Sequence, residues 1–433
     1  MAAIQRPSCF EGSTRPPYFI RCKTWDVPRS SHKRNPSAHE GAPARSWPSA
    51  WLLAPGGNTG QARRHPGHVP ATSFASNIVP HPKHRPKPNQ ARHMSQRWRH
   101  ATSGAPVNSC SSVRHSPSRQ AYLQGVKFGK LDVAPEGMDW TLPASAQGFR
   151  MADVKSSSKP STPEVRVGGT MWTVRPWRGT VYPAKDPQRT WPAHYGRQFG
   201  TLEFNATHYR IHPADRMAEW ASSMPEGFRF CPKFPQIITH FRRFNGCEGP
   251  TDDFIEGLLA LGDNLGPAFI QLPPHFAPHH AEAMRGYLTK WPRELKVALE
   301  FRHPGWFEGG PEAEEVWALM KELGMGAVIS DTAGRRDALH MRVTAPFVLV
   351  RFGGYEGHAS DEARLGAWAE RIASWQEDGL EEFHLLVHQP DSVHTPETSR
   401  QFARLVHAQT GLRVQAPVDL GRASGGANLF SGL

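Results

Sequence analysis

The sequence contains no long hydrophobic run. None of its 433 residues lies in a window approaching the ~18 consecutive apolar side chains that a membrane-spanning helix needs. No membrane partner is therefore expected, and a soluble chain is predicted. Cysteine is scarce as well. Cys9, Cys22, Cys110, Cys231 and Cys247 are odd in number and show no CxxC or similar ligand spacing, which argues against a disulfide framework and against structural zinc. A reducing, cytoplasmic location fits that usage. The opening residues Met1 to Gly12 lack the apolar core of a secretory signal, although Arg and Ser enrichment with few acids gives a superficial likeness to an organelle transit segment.

Acidic residues are absent between Glu40 and Asp132, where Pro, Ser, His and Arg recur without helical or strand periodicity. Residues 1–160 hold 23 basic side chains against 7 acidic ones, while the remainder holds 28 against 32. The overall charge of +12 thus belongs to one terminal segment. Such a segment cannot bury enough apolar surface to offset its ordering entropy, so residues 1–125 are expected to be disordered. The functional reading of this stretch is an arm holding nucleic acid through phosphate contacts. The plainer readings are a solvated tail, or translation from a start codon placed too early. Ordinary protein-like composition resumes near Val126, so residues 126–164 read as a leader packing on or linking to the domain that follows. Residues 415–433 read as a flexible tail.

From Val165 onward, short β-rich runs alternate with longer segments of helical period, the pattern of repeated βα units. Eight strands are predicted: 165–172, 201–206, 229–234, 268–272, 297–302, 327–331, 347–352 and 383–388. Thr251-Asp252-Asp253 and Thr395-Pro396-Glu397 read as helix starts. Eight units in about 250 residues match an α/β TIM (β/α)8 barrel over residues 165–414, preceded by the long disordered amino-terminal segment. A doubly wound open sheet is the competing architecture, but no Gly-rich phosphate fingerprint follows the first strand, Gly168-Gly169 being too weak.

Residues two apart on a barrel strand share a face, and the face toward the helices is apolar. Leu202 and Phe204 then face the helices, and Thr201, Glu203 and Asn205 face the lumen. Val297, Leu299 and Phe301 likewise leave Ala298, Glu300 and Arg302 inside. The same rule is read as turning Asp331 and Arg351 inward, while Lys233, Gln271 and His388 close the third, fourth and eighth strands. Charged groups there must pair, bind a ligand, or both, and barrel enzymes work at that carboxyl-terminal mouth. Trp172, Trp177, Tyr182, Tyr209, His240, Trp306 and Tyr355 lie beyond the strands and offer flat rings for stacking on a sugar or base, or for packing. Arg335 and Arg336 after Asp331 read either as an anion clamp or as ion-pair partners of Asp331.

These residues carry a resemblance. Trp177-Arg178-Gly179 with Tyr182-Pro183, the run from Thr201 to Thr207, Phe228-Arg229-Phe230 with Lys233, the run from Gln271 to Phe276, and Glu300-Phe301-Arg302-His303 with Trp306 together resemble the YecE-like family, domain of unknown function 72. The resemblance implies a TIM-barrel fold, and the family's name implies no established reaction. His208 departs from the Phe usual there. Val387-His388-Gln389 stands in place of a Phe-Asn-Asn run, as in a branch whose leader Lys127 to Leu142 resembles.

The leading reading is an enzyme acting on a small anionic or sugar-like substrate. Glu203 or Glu300 serves as general acid or base, with Lys233 and His388 also in the catalytic set. Asn205, Tyr209, Gln271, Arg302, His303, Asp331, Arg335 and Arg351 form the expected binding set. Either His303 or His388 could instead be a structural hydrogen-bonder. A metal-dependent variant would use Glu203, Glu300, Asp331 and His388, but nearby cations compete, so no metal is assigned and no cofactor is named. A Schiff base on Lys233 needs a lowered pKa, which adjacent carboxylates are expected to oppose. The alternatives are nucleic-acid processing, directed at phosphodiester or base and helped by the basic segment, and a non-catalytic ligand-binding barrel. Oligomeric state is not legible.

Overall fold

A computed structural model of the chain describes residues 133–154 and 162–423; the expected disordered segment 1–125 lies outside them. Among the described residues there are eight strands: β1 (Glu164–Gly168), β2 (Thr201–Phe204), β3 (Arg229–Pro232), β4 (Ala268–Gln271), β5 (Val297–Glu300), β6 (Gly326–Asp331), β7 (Phe347–Gly353) and β8 (Glu382–His388). Every pair is parallel. The helices of two turns or more are α1 (Trp191–Gln198), α2 (Ala214–Ser222), α3 (Glu248–Leu259), α4 (Ala281–Leu288), α5 (Pro311–Leu323), α6 (Ala359–Glu377) and α7 (Thr395–Thr410). Six strands run in the order β1-β8-β7-β6-β5-β4, and β2 pairs with β3. Backbone bonds close the cylinder. Gly200 N–H donates to Val167 at 3.1 Å and Glu203 N–H to Gly169 at 3.0 Å, while Phe234 N–H donates to Phe269 at 2.9 Å. The result is the TIM barrel that the alternating pattern implies.

The first strand ends at Gly168, four residues short of the expected Trp172. A Cβ on Gly168 would sit 1.8 Å from the carbonyl oxygen of Thr201, so glycine is what lets β1 approach β2. Beyond it the chain turns away, and Trp172 packs edge-on against Phe204 and Phe230. Helix α3 starts at Glu248, one turn before the predicted cap, because Thr251 is buried with its hydroxyl 3.1 Å from Tyr287 Oη. Helix α7 begins where Thr395-Pro396-Glu397 said it would and ends at Gly411, whose φ of 72° suits a residue without a side chain.

Alternation sorts the core into an inner layer and an outer shell. Cys231, Phe269, Ala298, Val328, Phe347, Leu349 and Leu386 fill the lumen. Val297, Leu299 and Phe301 meet the helices outside. Each such burial contributes roughly 1.5–3 kcal/mol.

One unit departs from the repeat. Between β6 and β7 there is no α-helix, only the short turn Ala333–Ala338 and extended chain. The leader occupies that flank instead. Ala146 N–H donates to Met341 O, Val343 N–H donates to Phe149 O, and Met151 joins the cluster of Ile329, Leu339, Met341 and Val343. Phe149 packs edge-on against Trp317 of α5. The leader thus covers apolar surface that the missing helix would otherwise cover. At the other end, residues 415–420 are tied down rather than loose as expected: Gln415 Nε2 donates to Gly196 O, Val418 N–H to Gln198 Oε1, and Leu420 N–H to Thr180 O. Among the described residues no helix is long and apolar enough to cross a membrane.

Candidate active site

Strand alternation brings Glu203, Lys233, Gln271, Glu300, Arg351 and His388 to one level of the lumen at its carboxyl-terminal mouth, with Asn205 and Arg302 just above. Arg351 is the hub. Its Nε and Nη2 donate to the two oxygens of Glu203 at 3.0 and 3.1 Å, and its Nη1 donates to both oxygens of Glu300 at 2.8 and 3.0 Å. Asn205 Nδ2 and His388 Nε2 complete four hydrogen bonds to Glu203, at 3.0 and 2.7 Å. Gln271 Nε2 at 2.7 Å, Arg302 Nε at 3.0 Å and Ser330 Oγ at 3.1 Å bring Glu300 to five. A carboxylate offers about four lone-pair positions, so both are saturated.

Saturation decides the protonation states. Burial alone would raise both carboxyl pKa values. Arg351 and His388 nevertheless hold Glu203 well below the ordinary carboxylate range, and Arg302 and Arg351 bring Glu300 to about 2. The expected division of these two into an acid and a base therefore does not match the geometry: both are ionised acceptors with no lone pair to spare. Because ionised Glu203 can only accept, His388 donates through Nε2, which leaves Nδ1 as the basic nitrogen of a neutral ring. Burial, opposed by Glu203, keeps that ring below its usual pKa.

Lys233 behaves differently from expectation. Burial, seconded by Arg351, outweighs the pull of Glu203 and Glu300 and lowers the ammonium to about 8. Its Nζ donates 2.8 Å to the neutral Gln271 Oε1, not to a carboxylate. Around it stand His208, lowered to about 4, and His240, lowered to about 3. Burial is the main cause for both, with Lys233 contributing. The loop carrying His240 is a single π-helical turn, Ile237–Phe241, followed by Arg243 and Phe244 with φ of 47° and 67°. Two non-glycine left-handed residues store about 1–3 kcal/mol each, the kind of strain that collects at working sites.

Four expected residues lie elsewhere. Asp331 points outward: its carboxylate meets Arg336 at 2.7 Å, Arg364 at 3.2 Å and Trp368 Nε1 at 3.0 Å, the last two from α6. The lumen position on β6 belongs to Ser330. Arg335 pairs with Asp337 at 2.6 Å and donates to the Arg302 carbonyl, while Arg336 follows the other reading of this turn and pairs with Asp331 instead of forming a clamp. His303 Nδ1 accepts from Gly305 N–H and caps a turn. Tyr209 is 73% exposed and touches His208 edge-on. Of the rings offered for stacking, Trp177, Tyr182 and Trp306 are core residues. Among the described residues no three His, Cys, Asp or Glu side chains are grouped to hold a metal; of the four that a metal-dependent variant would use, Asp331 faces away and the two glutamates are taken by Arg351. Sequence reasoning missed Ser330 and the fully buried Arg364. Ser330 follows the lumen residue Val328 by two positions, but a strand apolar on both faces gives no sequence signal for which side that is.

A family model described as "Protein of unknown function DUF72" matches residues 166–419, more than half of the chain. The chain belongs to the DUF72 family. Among DUF72 relatives, the UPF0759 protein YecE of Escherichia coli (strain K12) is 28% identical over 221 residues, covering 47% of this chain and 80% of YecE. The UPF0759 protein YunF of Bacillus subtilis (strain 168) is 29% identical over 155 residues, covering 34% of this chain and 54% of YunF. Two solved DUF72 structures also align. One from Enterococcus faecalis V583 has TM-score 0.44 and 19% identity over 57% of this chain and 98% of its own. One from Thermotoga maritima MSB8 has TM-score 0.41 and 20% identity over 56% and 97%. The leader strap at residues 133–154 precedes the matched DUF72 region.

Proposed function

We propose that this DUF72 barrel is an enzyme that binds a small anionic substrate at its carboxyl-terminal mouth. The observation that carries the reading is charge arithmetic: three cations, Lys233, Arg302 and Arg351, share one network with two carboxylates, Glu203 and Glu300. With His388 neutral, that is +3 against −2, an excess positive charge in low dielectric that an anion would neutralise. Lys233 is the group able to exchange a proton near neutral pH, the neutral ring of His388 offers Nδ1 as an acceptor, and Arg351 with its glutamates is the frame beside them. The buried thiols of Cys231 and Cys247 are consistent with a reducing, cytoplasmic setting. Base stacking loses support with Trp177, Tyr182 and Trp306 in the core. Calorimetric titration of the full chain with inorganic phosphate and with oxalate tests the reading. Saturable binding is expected, weakened at least tenfold in Lys233→Met. Affinity unchanged in Lys233→Met and Arg302→Gln alike would refute it.

A further inference from the structure

The most telling feature of the mouth is an amide placed between an amine and an acid. A lysine present only for charge balance would pair directly with Glu300. Instead Gln271 accepts from Lys233 Nζ at 2.8 Å and donates to Glu300 at 2.7 Å, holding the two apart. Among the described residues Lys233 makes no salt bridge, the glutamates that could pair with it being filled by Arg351, Arg302, Ser330, Asn205 and His388. Lys233 is buried, 8% exposed as a residue, at the carboxyl end of a barrel strand, the end where barrel enzymes take substrate. Desolvation beside a fixed guanidinium is one of the recognised ways to activate an amine.

We infer that Lys233 is a nucleophile that condenses with an aldehyde or ketone bearing an anionic group, forming an imine at the floor of the mouth. This deepens the anionic-substrate reading above and rests on it. The step balances without a redox partner. The ammonium gives up one proton, and the free amine attacks the carbonyl carbon while the C=O π pair moves to oxygen. The carbinolamine then loses that oxygen as water, carrying away two of the three ammonium hydrogens and leaving a protonated C=N bond. The depressed lysine pKa supports the step, since about a tenth of the amine is neutral at pH 7 when the midpoint is near 8. The charged and titratable groups facing it are Arg351 on β7, Glu203 on β2, Glu300 on β5, Arg302 just beyond β5, and His208 and His240 on the loops after β2 and β3.

The full chain incubated with pyruvate or dihydroxyacetone phosphate and cyanoborohydride provides the test. Expected is one covalent adduct, mapped by peptide mass spectrometry to Lys233, forming at least tenfold faster than on the exposed lysines and accelerating as pH rises from 6 through about 8. Gln271→Glu keeps the amine but sets a carboxylate against it. The rate at pH 7 should fall about tenfold, with the profile displaced upward by about one unit. Labelling of Lys233 no faster than of surface lysines, while calorimetry still shows the probes binding, would overturn the imine and leave the anion site standing. Absence of both labelling and binding would overturn the two together.

Discussion

Replacing Arg351 with methionine removes a side chain that reaches both buried carboxylates, and its effect on stability follows from the geometry. Glu203 and Glu300 are 1% and 0% exposed, so each would keep a charge in the interior, Glu203 having lost two of its four hydrogen bonds and Glu300 two of its five. Breaking a buried pair by deleting one partner costs about 3–5 kcal/mol. Glu300 gives an independent figure. Its carboxyl stands at about 2 against an ordinary 4.5, a depression worth about 3 kcal/mol for the ionised form. A depressed folded-state pKa means that this stability is present above pH 4.5 and is lost as pH falls through about 2; Glu203 adds a contribution of the same sign. In the variant the carboxyls move up, so they protonate earlier and relieve the strain. Urea denaturation of both proteins from pH 7 to pH 3 should show a gap of about 3–5 kcal/mol at neutrality that narrows on acidification. A gap below ~1 kcal/mol at pH 7, or one that widens with acid, would show that Arg351 is not the hub described here.

Other expectations can be measured alongside. Asp331→Asn breaks the outward cluster with Arg336 and Arg364 and should cost about 2–4 kcal/mol in denaturation, yet leave phosphate affinity at the mouth within twofold. Met151→Ala opens a cavity where the leader seals the β6 flank, and should lower stability by about 2–4 kcal/mol by the same assay. A loss under ~0.5 kcal/mol would mean that the leader contributes nothing to the fold. Cys231, lifted by burial to about 12, should stay unmodified by iodoacetamide in the native protein at pH 8 and react only after unfolding, as peptide mapping would show.

The barrel was legible because strands and helices alternate with unmistakable punctuation. β2 to β5 and β7 to β8 begin at or within one residue of where the apolar runs place them, most ending one or two residues sooner. Alternation gathered Glu203, Lys233, Gln271, Glu300, Arg351 and His388 because polar residues on those strands alternate with large apolar ones. It failed on β6, whose Val328 and Ile329 are both apolar and both buried, one in the lumen and one under the leader. A parallel strand buried on two faces carries no hydrophobic contrast to set its phase, and Asp331 was assigned to the wrong side. The absent helix after β6 was equally hidden, since the residues that compensate for it lie far away in the leader. The pKa of Lys233 was misjudged for a different reason. Proximity to carboxylates predicts an increase, but only coordinates reveal that those carboxylates are already spent on Arg351.

That last point connects stability to chemistry at this mouth. A lumen with two glutamates and three cations can distribute its pairs in several ways, and most would fix Lys233 as an ammonium ion-paired to a neighbour. Placing the guanidinium of Arg351 between both acids is the arrangement that gives each carboxylate two hydrogen bonds from one residue. The consequence falls on the lysine, which is left with a neutral amide as its acceptor and a permanent positive charge nearby. The interaction that holds strands β2, β5 and β7 together therefore also keeps the amine just beyond β3 close to its neutral form. A change that loosens the first will weaken the second.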